Sequence, residues 1–312
     1  MSKIHVLHEN DEWFAPLAGA LRAANLPCEG WHMAEGRLDL QETPPGGVFF
    51  SRMSASAHTR GHTHSPDYTA AVLAWLERHR RRVINGSTAL RLEMSKVAQY
   101  MALEEFGFLV PHTVAACGRG RILAAAKTFS GPFIIKHNRS GKGLGVRLFQ
   151  SAAALQAHLD SDEYTPPVDG ILLLQAYIQA PQPFITRLEF VAGRFLYALR
   201  ADTSNGFALC PADGCGIGER CALDGQAKFV IVEEAFPGRE RYEAMLKAHD
   251  VSVAGIEIIR DTRGTVYTYD ININTNYNSA AEAEAGISAL SALAVFLGGE
   301  LKKTRCPRPN NS

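Results

Sequence analysis

Thr268-Tyr-Asp-Ile-Asn-Ile-Asn-Thr-Asn-Tyr-Asn278 decides the reading of this chain, together with Gly255-Ile-Glu-Ile-Ile259 just before it. β-Branched and aromatic residues alternate with others in both, which predicts two strands. Gly264 marks the hairpin turn between them. Period-2 geometry then sets Asp270, Asn272 and Asn274 on one face of the second strand. If Glu257 faces the same side, hard oxygen ligands converge on one spot. Carboxylate and amide oxygens suit Mg²⁺, which one or two carboxylates commonly hold together with substrate phosphates. A solvated polar sheet face is the alternative.

A second stretch, Pro132-Phe-Ile-Ile-Lys-His-Asn-Arg-Ser-Gly-Lys-Gly-Leu-Gly-Val146, bears on that choice. An apolar strand delivers Lys136, a loop carries Gly141, Gly143 and Gly145, and another apolar strand follows. Glycines let backbone N–H groups approach phosphate oxygens. Lys136 and Lys142 add positive charge. No Gly-Lys-Ser/Thr opens a helix, so this is not a P-loop. A strand rather than a helix follows the glycines, so it is not a dinucleotide fingerprint. A strand–loop–strand of this kind reads as a flap over a nucleotide, or as an ordinary glycine-rich hairpin.

The 312 residues suffice for two or three domains. Net charge is zero, which gives no bulk electrostatic support to a nucleic-acid or membrane partner. No signal-peptide run opens the chain, and no stretch approaches ~18 apolar residues. Six cysteines without secretory spacing predict reduced thiols and a cytoplasmic location. Cys210, Cys215 and Cys221 are spaced Cys-x₄-Cys-x₅-Cys with no nearby His, which does not match a zinc site and reads instead as a loop beside the substrate.

Along the chain, strands at 3–8, 47–51 and 83–84 alternate with helices at 11–24 and 67–80, which predicts a parallel sheet. Ligands gather at the carboxyl ends of such strands, where Glu9, Asn10 and Arg52 fall. The Ser51–Ser65 segment, with His58, Arg60, His62 and His64, reads as a polar loop whose i, i+2 histidine spacing favours a solvated segment over metal binding and leaves substrate contact open. A helix of about a dozen residues is predicted from Leu92, with Met94, Val97, Met101 and Leu103 on one face and Lys96 in its first turns. A second α+β unit runs from about 112 to 175, and a mainly antiparallel unit from about 179 to 305. The latter ends in a helix over 280–297 and a polar tail predicted to fray.

Lys96, Pro111 after Gly-Phe-Leu-Val, Lys136 before the flap, Gln175-Ala-Tyr-Ile178, Arg187, Glu257 and Asp270-x-Asn272 follow in an order that resembles the ATP-grasp superfamily, in particular the RimK-type carboxylate–amine ligases. Phe-Ser-Arg at 50–52 and Val-Ile-Asn-Gly-Ser at 83–87 resemble the lead-in to that core. The resemblance spans about residues 48–297. It implies an α/β and α+β chain: an N-terminal parallel-sheet domain (1–90), then a two-lobed ATP-grasp fold with a central lobe carrying the flap (91–178) and a C-terminal lobe carrying the metal site (179–312).

It implies roles as well. Lys96, Lys136, Gly141, Lys142 and Gly143 would hold the phosphates of ATP. Gln175, Ala176, Tyr177 and Ile178 would form the hinge gripping adenine. Glu257, Asp270 and Asn272 would bind two Mg²⁺, with Mn²⁺ as a substitute. Arg187, with Lys136, would serve the phosphoryl centre, and Arg52 and Arg200 are candidates for gripping a substrate carboxylate. Partners would be ATP, a carboxylate and an amine, with no nucleic acid and no membrane; a homo-oligomer stays open. The reaction would be an ADP-forming amide ligation through an acyl phosphate. A non-catalytic ATP-binding regulator, a kinase or a carboxylase are the alternatives. The family commonly has Asp at the position of Glu257, Glu-x-Asn where Asp270-x-Asn272 stands, and Ser-Pro-Gly where Thr275-Asn-Tyr-Asn278 stands. The last departure bears on substrate identity.

Overall fold

The computed structural model describes residues 2–141, 143, 145–204, 229–232, 236 and 238–305. Lys142 and the Cys210, Cys215 and Cys221 loop lie outside them. Three sheets organise the described residues. The first is parallel, in the order β2-β1-β3-β4, from β1 (Lys3–His8), β2 (Cys28–His32), β3 (Gly47–Ser51) and β4 (Arg82–Ile84). Strand β2 was not predicted. Its Cys-Glu-Gly-Trp-His sequence is half-exposed and lacks the apolar run of its neighbours. Helix α1 (Asp11–Ala23) covers one face of this sheet and α2 (Ser65–Arg78) the other.

The second sheet is antiparallel, in the order β5-β8-β6-β7, from β5 (Thr113–Cys117), β6 (Phe133–His137), β7 (Arg147–Phe149) and β8 (Ile171–Ala176). Helices α5 (Arg119–Ala126) and α6 (Ala152–Leu159) back it with Ile122, Ala126 and Leu155. The third sheet is antiparallel, in the order β11-β10-β9-β12-β13, from β9 (Phe184–Val191), β10 (Arg194–Asp202), β11 (Phe229–Val232), β12 (Ala254–Arg260) and β13 (Val266–Asn272). Helix α7 (Arg239–Ala248) packs Tyr242, Met245 and Leu246 against it.

Two predicted helices are each a pair. The one expected from Leu92 is divided at Ser95 into α3 (Ser87–Met94) and α4 (Lys96–Glu105). Ser95 is extended, with φ −147°, and its side chain accepts from the Ala98 N–H. A good N-cap thus overrides continuation of the helix. Lys96 becomes the first residue of α4, and Met101, expected on the buried face, is 66% exposed. The helix expected over 280–297 is divided at Gly286 into α8 (Ser279–Ala285) and α9 (Ala289–Arg305), at 91° to one another. Gly286 adopts φ 66°, the left-handed cap that only glycine takes without strain. The start of the expected frayed tail, to Arg305, is the end of α9.

After that corner α9 returns to the first sheet, where Leu293, Leu297 and Leu301 meet Ile4, Val6, Leu17 and Val48. The C-terminus therefore completes the N-terminal core. Buried Asn85 makes a second tie: its amide donates to Val253 O (2.8 Å) and accepts from Ser252 N (2.9 Å). Among the described residues no single helix is long and apolar enough to cross a membrane.

Candidate functional site

A cleft of about 480 Å³ opens between the two antiparallel sheets. That is within the usual ~300–1,000 Å³ of small-molecule sites. Ile134 and Lys136 from β6, Gln175 and Ala176 from β8, Ile185 from β9 and Glu257 and Ile259 from β12 line it. Tyr269, Asp270 and Asn272 of β13 line it too. In the β12–β13 ladder Glu257 stands directly opposite Asp270, and Gly255 opposite Asn272. The register shifts between Glu257 and Ile258, so Tyr269 is an extra residue on β13. This bulge lets consecutive residues, Tyr269 and Asp270, both face the cleft, which strict alternation forbids. Glu257, Asp270 and Asn272 are brought together as expected, and the Asn272 amide donates to Glu257 Oε1 at 3.3 Å. Asn274 lies beyond the strand's end.

Every donor in this cluster is a hard oxygen ligand, and the donor set fits Mg²⁺. Burial, then the Asp270 charge opposite, raises the Glu257 carboxyl above its ordinary range. Protein cations face this pair of carboxylates. Lys96 Nζ donates to Asp270 Oδ1 at 2.6 Å and Arg187 Nη1 to Glu257 Oε1 at 3.2 Å. Lys96 is placed by the helix start: its N–H donates to Asn138 O, and Val97 N to Asn138 Oδ1. Asn138 follows β6 directly, so the strand that carries Lys136 also seats Lys96.

The two lysines are in different electrostatic states. Burial alone would lower Lys96, but Asp270 and then Glu93 and Glu257 outweigh it, so it stays protonated. Burial, and then the charge of Lys96, lowers Lys136 to about 7. Its ammonium donates to Tyr269 O (3.3 Å) and lies 5.1 Å from the Tyr100 ring centre. A bound polyphosphate favours the charged lysine and raises its pKa. Nucleotide binding at pH 8 is therefore expected to take up about one proton, and affinity to fall as pH rises above 7, by up to ~10-fold per unit. Calorimetry of ADP binding in buffers of different ionisation enthalpy measures this. Unchanged uptake in Lys136→Met would remove Lys136 from the phosphate site.

Beside the cleft lies a polar recess of about 40 Å³, lined by Trp13, Ser54, Ser56, Glu93, Arg187, Asn274 and Asn276 among others. Lys96, Ser140, Gly141, Asp270 and Asn272 border both cavities. The cation–carboxylate centre is thus the wall they share. Arg187 is buried in a network the sequence did not disclose. Its Nε donates to Glu189 Oε1 (2.7 Å), its Nη2 to Thr275 Oγ1 (2.6 Å), and Thr275 in turn to Glu189 Oε2 (2.8 Å). The guanidinium lies across Gly255, where an added Cβ would come within 2.6 Å of it. Only glycine admits that crossing.

The other expected residues fall as follows. Gly141, Gly143, Gln175, Ala176, Tyr177 and Ile178 line the cleft. The amides of Ala176 and Tyr177 donate to His112 O and Pro132 O, and the Gln175 side chain to Tyr100 and Thr113. These bonds tie the end of β8 to its neighbours in the second sheet and, through Tyr100, to α4. Arg52 donates to Trp13 O, Asn274 Oδ1, Thr275 O and Asn276 Oδ1. It clamps the segment after β13 to α1 rather than presenting a bare cation to the recess. Arg200 lies over the Phe184 ring, 4.8 Å from its centre, and lines neither cavity. Glu93 was missed: it accepts from the N–H groups of Ala55 (3.0 Å) and Ile273 (2.7 Å) and so fixes both walls of the recess. Its place in an otherwise ordinary helix gave no signal.

No family model matches the chain, and no curated protein matches it by sequence. Solved structures do match its shape. A RimK-domain ATP-grasp protein from Sphaerobacter thermophilus superposes with a TM-score of 0.63 at 17% identity, over 95% of this chain and 100% of the other. The ATP-grasp ligase PsnB, complexed with a phosphomimetic variant of its minimal precursor, Mg and ADP, gives 0.64 at 14% identity, over 96% and 99%. The D-cycloserine synthetase DcsG gives 0.64 at 17% identity, over 96% and 99%. Over nearly its whole length, the chain thus has the fold of these ATP-grasp proteins.

Proposed function

We propose that this protein is an ATP-dependent carboxylate–amine ligase that forms an amide through an acyl phosphate and releases ADP and phosphate. The observation that carries this reading is the wall shared by cleft and recess at Lys96, Ser140, Gly141, Asp270 and Asn272. A nucleotide in the cleft would present its terminal phosphate at that wall. A carboxylate entering the recess would meet it from the other side.

The apolar part of the cleft, with Ile134, Val146, Ile178, Ile185 and Ile259, suits a purine ring. Base contacts would come from the hinge carbonyls and from Ile178 onward, since the amides before it are engaged. Lys136 and Lys96 would hold the phosphates. Glu257, Asp270 and Asn272 would hold Mg²⁺, which when bound neutralises phosphate charge. In the first step a carboxylate oxygen bonds to the γ-phosphorus and the bond to the ADP oxygen breaks. In the second an amine attacks the acyl carbon and phosphate leaves. Arg187 lines the recess, and its planar guanidinium would suit the acyl phosphate's charge. A recess of about 40 Å³ admits only the reacting end of a substrate. A small amino acid, or a peptide side chain reaching in, fits that space. PsnB, solved with a minimal precursor, and the D-cycloserine synthetase DcsG are in keeping with substrates of these kinds.

The test supplies ATP, Mg²⁺, a panel of amino acids and peptides, and hydroxylamine in place of the amine. Hydroxamate with stoichiometric ADP is expected. AMP and pyrophosphate would mean an adenylate and would end this reading.

A further inference from the structure

We propose that His8, Asp11 and His32 form a binding site for a divalent transition metal of the Zn²⁺ class, separate from the oxygen cluster in the cleft. The site lies at the carboxyl ends of two parallel strands. His8 closes β1 and His32 closes β2, and the register sets them directly side by side. Asp11 opens α1, one turn away. One ligand atom from each residue lies within 4.8 Å of the others. A tetrahedral ion with bonds of about 2.0–2.2 Å holds ligand atoms roughly 3.3–3.6 Å apart, so side-chain shifts on the order of 1 Å close the site. Two imidazoles and a carboxylate select Zn²⁺, Ni²⁺ or Cu²⁺ over Mg²⁺.

Further observations point to a ligand here. His8 is 5% exposed, and its Nδ1 makes no hydrogen bond while lying 3.8 Å from Asp11 Oδ1. A buried unpaired ring nitrogen is a cost that an ion would offset. The ring is fixed by stacking on Phe14, centroids 4.4 Å apart. His32 Nδ1 accepts the Ala34 N–H at a long 3.3 Å, so its lone pair is on that nitrogen, and an ion would take it in place of this weak hydrogen bond. Asp11 is not spent on capping α1, because Asn10 accepts from Trp13 N. Its carboxylate is 84% exposed, so an ion can enter. A fourth group stands by: the His62 ring is 5.5 Å from that of His32, and its Nδ1 lies 2.9 Å from Glu9 Oε2. A carboxylate-held imidazole is the usual posture of a metal-binding histidine. Trp13, two residues beyond Asp11, lines the recess, so an ion here would stiffen the helix start that supports that wall.

The experiment uses the full chain, stripped with chelator and free of nucleotide, titrated with Co²⁺ and then Zn²⁺ in excess Mg²⁺. One equivalent of Co²⁺ is expected, with the visible d–d absorption of a low-coordinate site, displaced by Zn²⁺. Asp11→Asn and His32→Gln should each weaken it by at least ~10-fold. Glu257→Gln should leave it unchanged, which separates this site from the cluster in the cleft. Asp11→Asn changes an exposed side chain, and its unaltered melting curve without metal confirms that the fold persists. Absence of a Co²⁺ equivalent, or an affinity that neither substitution alters, overturns the proposal. So does a thiolate charge-transfer band insensitive to both, which would put the ion on cysteines.

Discussion

Arg187→Met is expected to cost about 3–5 kcal/mol of stability, as the loss of one partner from a buried ion pair does. Arg187 is 5% exposed and sits between Glu189 and Glu257, which are 1% and 8% exposed. Its removal leaves Glu189 without its ion-pair partner and Glu257 with only the more distant lysine charges. Burial already raises both above the ordinary carboxyl range, and Arg187 is what holds them down. Without it they rise further. A carboxyl whose folded pKa is raised destabilises the fold as pH climbs above its unfolded value of about 4.5, because the folded state then retains a proton the unfolded chain has lost. The deficit of Arg187→Met should therefore be smaller at pH 5 than at pH 8.

Adding Glu189→Gln should restore part of the loss, since one orphaned charge goes with it. Gly255→Ala should also destabilise, because its methyl would press on the guanidinium. Thermal and denaturant unfolding at both pH values measure these effects. At roughly 2 °C per kcal/mol, the single variant should melt about 6–10 °C lower at neutral pH. A melting point within about 1 °C of the parent would show that the pair is solvated and the network weak.

The sequence disclosed more of the carboxylate–amide cluster than of this network. Asp270 and Asn272 announce themselves by alternation on a strand, and Glu257 by a neighbouring strand across a glycine turn. Local periodicity carries that information. Glu189 stands two residues from Arg187 on β9, but Glu257 reaches the guanidinium only through the β9–β12 pairing and Thr275 only through the segment after β13. No local pattern encodes such a contact. The same holds for Glu93, whose two backbone partners come from different parts of the chain. Helix boundaries failed for a different reason. Ser95 and Gly286 each lie within an apolar pattern that reads as continuous, and a single cap or left-handed residue divides it. Arg52 illustrates a third limit. Its position at a strand's carboxyl end was legible, but whether its guanidinium meets a ligand or the chain itself depends on the segment after β13.

Asp270→Asn should lower turnover by ~10²–10³-fold or more, the scale seen when a charge-stabilising group is removed from a reacting centre. The carboxylate has two duties in the geometry. It faces Glu257 across the ladder, where Mg²⁺ would sit, and it holds Lys96 at 2.6 Å. The amide keeps the shape and loses the charge. Lys96 is then expected to lose the influence that raises its pKa, and a protonated, buried lysine becomes less favourable. A modest stability loss of about 1–3 kcal/mol should accompany the change. Binding measurements separate the two duties. In chelator, ADP should bind the variant at least as well as the parent, because Lys96 no longer has a carboxylate to satisfy. The gain in affinity on adding Mg²⁺ should be strong in the parent and nearly lost in the variant. Near-normal activity of Asp270→Asn at limiting Mg²⁺ would remove Asp270 from the metal site and leave it as the tether of Lys96.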